Sequence, residues 1–208
     1  MQISVSIEPY LGVDISRLTQ YIENILQLNR CMKAATGDEI AIHFDYFKAN
    51  PAVFRLVQSY TNQIAIDLHL MQVSAPSVDG FRSVCYDVNV LETGMTMMAA
   101  PTQRGLVLDL GTMATGHETL LRTVQYIILM TVKCGKSGQT FQSEPLSLIP
   151  QIRHLNPNAV IIVDGGVNEN NVSLLKKAGV DVVVVGSYAQ KCYENGNLQN
   201  GINRLLHD

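Results

Sequence analysis

The chain lacks a disulfide framework. Its four cysteines, Cys31, Cys85, Cys134 and Cys192, lie far apart with no C-x-x-C pair, so reduced thiols are expected rather than a stapled scaffold or a zinc knuckle. It also lacks an excess of basic charge. Fifteen Lys+Arg stand against eighteen Asp+Glu, a formal charge of −3, which offers no field for nucleic-acid backbone or anionic lipid, and neither is expected as a partner. The longest apolar run, near Tyr126–Met130, falls far short of the roughly twenty residues that a membrane span requires. The opening Met1-Gln-Ile-Ser-Val-Ser-Ile7 carries no basic region, apolar core or cleavage site of a secretory leader, so a cytoplasmic location is expected. With 47% hydrophobic and 16% charged residues, disorder is excluded. No linker interrupts the 208 residues, and one domain over 1–208 is expected.

What is present is a repeat. β-rich segments recur near residues 3–7, 40–44, 64–70, 84–90, 105–110, 126–132, 159–164 and 180–186, about one per 26 residues, room for a strand and a short crossover helix. The clearest helix follows the first strand, where Asp14 can cap a segment with Leu18, Tyr21, Ile22, Ile25 and Leu28 on one face. Another is predicted from Asn168 to Gly179, with Val172, Leu174, Leu175 and Ala178 inside. The third and fourth repeats, interrupted by Pro76 and Pro101, have room for only a turn or two.

Eight such units make a closed barrel or an open doubly wound sheet, and side-chain alternation chooses between them. In Ile40-Ala-Ile-His-Phe-Asp45 one face carries Ile40, Ile42 and Phe44 and the other Ala41, His43 and Asp45. Ile64–Leu70 repeats the pattern with Ala65, Asp67 and His69, the fourth strand with Cys85, Asp87 and Asn89, and the first with Ser4 and Ser6. Central strands of an open sheet meet apolar helices on both faces and read as continuously hydrophobic. Strands with one greasy and one polar face fit an eight-stranded parallel (β/α)8 TIM barrel with shortened helices.

Buried strand carboxylates cost several kcal/mol unless paired or bound to a cation. His43 and Asp45 share a face, His69 lies near the end of the next strand, and Asp164 ends the seventh. Two imidazoles and two carboxylates at one rim make a set for a divalent metal: Zn²⁺, Fe²⁺, Mn²⁺ or Co²⁺. The bland reading is a set of hydrogen-bonded core residues; convergence from three strands favours function. Asp67 is expected one layer deeper than His69, orienting ligands. Asp87, Asn89 and Asp109 are either polar filler or substrate contacts, and His117, His154 and His207 fall in predicted helices facing solvent.

A second signal concerns anions. Asp164-Gly165-Gly166 closes strand seven, Gly186-Ser187 closes strand eight before a helix, and Gly135-Lys-Ser-Gly138-Gln139 follows strand six. Glycines let backbone N–H groups approach a phosphate, and barrels of this type hold phosphate after strands seven and eight.

At these residues the chain resembles the ribulose-phosphate 3-epimerase family. Ser6-Ile7 is similar to the family's Ser-Ile, His43-Phe-Asp45 to its His-x-Asp, Asp67-Leu-His-Leu-Met71 to its Asp-x-His-x-Met, and Met130-Thr-Val132 to its Met-x-Val. The loop 135–141, Asp164-Gly-Gly-Val-Asn168 and Gly186-Ser187 continue the series. The resemblance implies one divalent metal, Zn²⁺ or Fe²⁺ foremost, held by His43, Asp45, His69 and Asp164. Asp45 and Asp164 would be the acid/base pair. Ser6, His69, Met71, Met130, Gly138, Gly165, Gly166, Gly186 and Ser187 would contact a ketose phosphate. For Met71 and Met130 ordinary core filling is equally open, and Ser6 either bonds substrate or fills the barrel. A homo-oligomer is the family's habit.

The departures are specific. The family follows His-x-Asp-x-Met with Asp-Gly and a Phe-Val-Pro-Asn loop, whereas Asp45-Tyr-Phe-Lys-Ala-Asn-Pro51 runs straight into a helix, with Phe47 in place of Met and Lys48 adding charge. Lys133, Cys134, Lys136 and Ser137 replace Glu, Pro, Phe and Gly. The Asp-x-Lys-x-x-Asp array of the related decarboxylases is absent, since Lys48 lies three residues after Asp45. The reading is a metal-dependent ketose-phosphate 3-epimerase, D-ribulose 5-phosphate to D-xylulose 5-phosphate. The alternatives are a hexulose-6-phosphate 3-epimerase, acting on a sugar such as allulose 6-phosphate, and a non-catalytic sugar-phosphate-binding relative.

Overall fold

Alternation along the strands sorts the core into two shells. Strands β1 (Gln2–Ser6), β2 (Ile40–Tyr46), β3 (Ile66–Leu70), β4 (Ser83–Asp87), β5 (Gln103–Leu108), β6 (Tyr126–Met130), β7 (Val160–Asp164) and β8 (Val182–Val185) pair in parallel in chain order, and β8 closes on β1. The computed structural model describes residues 1–47, 50–71, 77–92, 103–134 and 138–207. Within them the expected (β/α)8 barrel is present, its strand starts within about three residues of those read from the repeat.

The outer shell packs Ile40, Ile42, Phe44, Ile66, Leu68 and Leu70 against the helices. The inner shell is divided. Cys85, Val107, Tyr126, Ile128, Ile162, Val182 and Val184 form an apolar plug on one side, while β1 to β3 contribute Ser4, Ser6, His43, Asp67 and His69, all buried. Ser83 and Asp87 of β4 and Asp164 of β7 add to this polar side of the interior, whose atoms are left to satisfy one another or a ligand.

Helix α1 (Ile15–Thr36) follows its caps: the Asp14 side chain accepts from the Ser16 N–H at 3.1 Å, and Gly37 ends it at φ 78°. Its expected face is buried at Leu18, Tyr21, Ile22, Ile25 and Leu28. Helix α2 (Pro51–Gln58) starts soon after β2, with Pro51 in its first turn and the Asn50 side chain accepting from the Ala52 N–H. The remaining helices are short: α3 (Val88–Glu92), α4 (Glu118–Leu121), α5 (Ile149–Leu155), α6 (Val172–Lys177), α7 (Ser187–Glu194) and α8 (Leu198–His207). No described helix is long and apolar enough to cross a membrane.

Four expectations are corrected. Residues 88–90, read as strand, are helical, because Asp87 Oδ1 takes the Asn89 N–H at 2.8 Å and starts α3. Helix α6 begins at Val172 rather than Asn168. Residues 168–171 are occupied instead by side-chain turns, in which Asn168 N–H donates to Asn171 Oδ1 and Asn170 N–H to Asn168 Oδ1, both at 2.9 Å. Leu174, expected inside, is 46% exposed. His154 and His207 are exposed as expected, whereas His117 is half-buried and precedes α4 rather than lying within it. Pro76 and Pro101 lie outside the described residues.

Candidate active site

The parallel register brings the polar face of β2 against that of β3. His43 stands opposite Asp67, and Asp45 opposite His69. Asp164 ends β7 across the mouth. Asp45 Oδ1 lies 2.9 Å from His69 Nδ1 and 3.2 Å from His43 Nε2, and Asp164 Oδ2 lies 3.4 Å from the same His43 nitrogen. One donor atom from each of the four residues falls within 4.8 Å of the other three.

The electrostatics follow from that packing. Burial pulls His43 toward neutrality, but the Asp45 carboxylate, by charge and hydrogen bond, and then Asp164 outweigh it and raise its pKa to about 9. For Asp45, burial pushes upward and the two histidines overcome it, holding the carboxyl well below its usual range. Asp164 goes the other way. Burial, with the charges of Asp45 and Glu8 adding to it, raises it to about 6 against the pull of His43 and His69. Two like carboxylates with pKa values driven apart are the arrangement that acid/base chemistry at neutral pH uses. Two imidazole nitrogens and two carboxylate oxygens on one centre also suit a borderline divalent cation.

Above this cluster opens a pocket of about 230 Å³. Asp45, His69 and Asp164 line it, as do Ser6, Met71, Met130, Gly138, Gly165, Gly166, Gly186 and Ser187. His43 alone of the sequence-predicted set stands beneath the lining, fully buried. Ser6 faces protein as well as pocket: its hydroxyl accepts the Glu8 N–H at 3.1 Å and lies 3.5 Å from Asp45 Oδ2.

Gly165 and Gly166 are dictated by space and backbone together. Their φ values are 121° and 66°. A Cβ on Gly165 would come within 2.5 Å of Val132, and one on Gly166 within 2.7 Å of the Phe141 backbone nitrogen.

Asp67 is buried but does not orient the ligands. Its oxygens take Arg82 Nε at 2.9 Å, Arg82 Nη2, and the Ser83 hydroxyl at 2.7 Å. Its negative charge is neutralised by Arg82, just before β4, and among the described residues no hydrogen bond links it to His43 or His69. Asp87, Asn89 and Asp109 lie outside the pocket lining. Asp109 takes the Leu110 N–H and bonds the Cys134 thiol, which burial pushes far above its usual pKa. All four cysteines are free.

Sequence reasoning missed Glu8, whose side chain lines the pocket and acts on Asp164 through its charge. It also missed Thr131, fully buried between the sixth and seventh strand ends. The available signal for Thr131 was one hydroxyl inside the apolar run 127–132. Lys48, Gly135, Lys136 and Ser137 lie outside the described residues; Phe47 lines the pocket, 48% exposed.

Comparison with known proteins adds ancestry to geometry. The model of the ribulose-phosphate 3-epimerase family matches residues 87–189. Ribulose-phosphate 3-epimerase of Aquifex aeolicus is 41% identical over 87 residues, 40% of this chain and 39% of that protein. The match to the Serratia marcescens enzyme is 27% identical over 199 residues, 85% of this chain and 90% of the relative. The chain thus spans about two fifths of the length of the relatives it matches at 41% identity, and nine tenths of a more distant one. Among solved structures, 3-hexulose-6-phosphate synthase from Salmonella typhimurium superposes with a TM-score of 0.63 at 12% identity, over 99% of this chain and 98% of that one. Thiamine phosphate pyrophosphorylase from Pyrococcus furiosus gives 0.60 at 14%, over 99% and 93%; both likenesses concern the fold alone. Taken with the matches in sequence, the closed barrel whose rim gathers His43, Asp45, His69 and Asp164 makes this chain similar to the ribulose-phosphate 3-epimerase family.

Proposed function

We propose that the protein is a metal-dependent ketose-phosphate 3-epimerase that interconverts D-ribulose 5-phosphate and D-xylulose 5-phosphate. The observation that carries this reading is the opposition of Asp45 and Asp164 across one pocket, joined through His43 and His69 to a four-residue donor set. The named relatives support the substrate class. A divalent cation held by the four side chains would stabilise negative charge developing on the substrate oxygens. The chain's own residues do the rest. One aspartate takes the proton beside the ketone from one face, and the other returns a proton to the opposite face, inverting that carbon. Met71 and Met130 shield the reacting carbon from water, and the glycine turns after β7 and β8 receive the phosphate.

A hexulose 6-phosphate is the second reading. The shortness of the connection favours it: only residues 47–50 separate β2 from α2, little chain to close over a longer sugar. The test is incorporation of solvent deuterium into candidate ketose phosphates, with and without chelator. Chelator-sensitive exchange at the inverting carbon is expected; binding without exchange would replace the enzyme with a non-catalytic sugar-phosphate binder.

A further inference from the structure

We propose that Thr131 is a positioning residue that, by holding the Gly165 carbonyl, aims the backbone N–H of Gly166 into the pocket and so prepares the phosphate end of the site. The inference rests on the sugar-phosphate reading above and assigns a residue to its anion-binding half. Thr131 has no exposed surface. Its N–H donates to the Asp164 carbonyl at 2.8 Å, and its hydroxyl reaches the Gly165 carbonyl at 2.7 Å and the Asp164 carbonyl at 3.0 Å. The Asp164 oxygen already has the Thr131 N–H, so the one hydroxyl hydrogen is best used by Gly165.

Two successive carbonyls are therefore turned toward the same side chain. In a trans peptide the C=O and N–H point in opposite directions. Fixing the Asp164 carbonyl on Thr131 turns the Gly165 N–H away from β6 toward β8, where Val184 lies opposite Asp164, and fixing the Gly165 carbonyl turns the Gly166 N–H away from Thr131. Both glycines line the pocket, and the Gly166 N–H has no backbone partner outside the sheet ladder among the described residues. A backbone N–H presented in this way at a glycine turn is a donor for an anion. Neighbouring contacts hold the turn from behind: Val132 fills the space where a Gly165 side chain would go, and the Gly166 carbonyl accepts from the Asn168 and Asn171 side chains at 3.0 Å each. With its carbonyls held on every side, the glycine pair keeps one conformation despite its intrinsic freedom.

The experiment compares Thr131→Val, which keeps the shape and deletes the hydroxyl, with Thr131→Ser, which keeps the hydroxyl. Inorganic phosphate affinity is measured by titration, and KM and kcat for D-ribulose 5-phosphate and for unphosphorylated D-ribulose. Thr131→Val should weaken phosphate binding and raise KM for the phosphorylated sugar by about tenfold or more, since hydrogen bonds to a charged group are among the stronger ones. Its constants for the unphosphorylated sugar should change little, and Thr131→Ser should recover most of the loss. Unchanged phosphate affinity in Thr131→Val, or equal losses for both sugars, overturns the proposal. If the wild-type protein binds phosphate but turns over neither sugar, the epimerase reading fails while the phosphate titration still decides the role of Thr131.

Discussion

Loading the four-residue cluster with metal should expel a proton, and the structure sets how that release varies with pH. Without metal, His43 is held protonated by Asp45 and Asp164, with its pKa raised to about 9. Ligation requires the neutral imidazole. The proton lost from His43 on binding Mn²⁺ should therefore approach one per site well below pH 9 and fall away as the pH rises through about 9. The linkage has a definite sign: a raised imidazole pKa favours the metal-free state below it, so apparent affinity weakens as pH falls below 9, by up to about tenfold per unit. Calorimetric titration in two buffers of different ionisation enthalpy measures the release directly. A His43→Asn variant supplies the control, since its dependence between pH 8 and 9 should vanish. Metal binding with no proton release at pH 8, or with the same pH dependence in His43→Asn, would refute the reasoning.

Other perturbations address different parts of the account. Asp45→Asn and Asp164→Asn should each lower epimerisation by about 10²–10⁴-fold with little change in the circular dichroism spectrum; turnover at the wild-type rate in either variant would defeat the two-carboxylate assignment. Gly166→Ala places a Cβ 2.7 Å from the Phe141 nitrogen at a φ of 66°. It should cost at least about 1–2 kcal/mol in denaturant unfolding and raise KM for the phosphorylated sugar, whereas wild-type values for both would show that the turn is not constrained. Arg82→Met strands the carboxylate of Asp67, which is only 1% exposed, and should destabilise the fold by about 3 kcal/mol; a shift well under 1 kcal/mol would mean that Asp67 finds another partner.

The barrel and the four-residue cluster at its rim were legible because both are written in a period of two. The alternation His43/Asp45 against Ile42/Phe44 specifies which side chains turn inward once the sheet closes, and the β2–β3 register then sets Asp45 opposite His69. Features decided by contacts between distant segments were not legible. Asp67 shares the inward face with His69, yet its partner is Arg82, fifteen residues along the chain, and no spacing rule distinguishes that pairing from one with His43. Thr131 reads as one polar interruption in a hydrophobic strand; its meaning appears only when β7 lies alongside and offers two carbonyls. The short helices erred in a similar way. Asn168 to Asn171 carry a helix-start signature, but their side chains bond the local backbone in turns before the helix begins.

The most direct measurement is anomalous diffraction from crystals of the protein soaked in Mn²⁺ or Zn²⁺. The account predicts one strong peak at about 2.0–2.2 Å from a donor atom of each of His43, Asp45, His69 and Asp164. A peak elsewhere, or saturating metal with none between these four side chains, would contradict it.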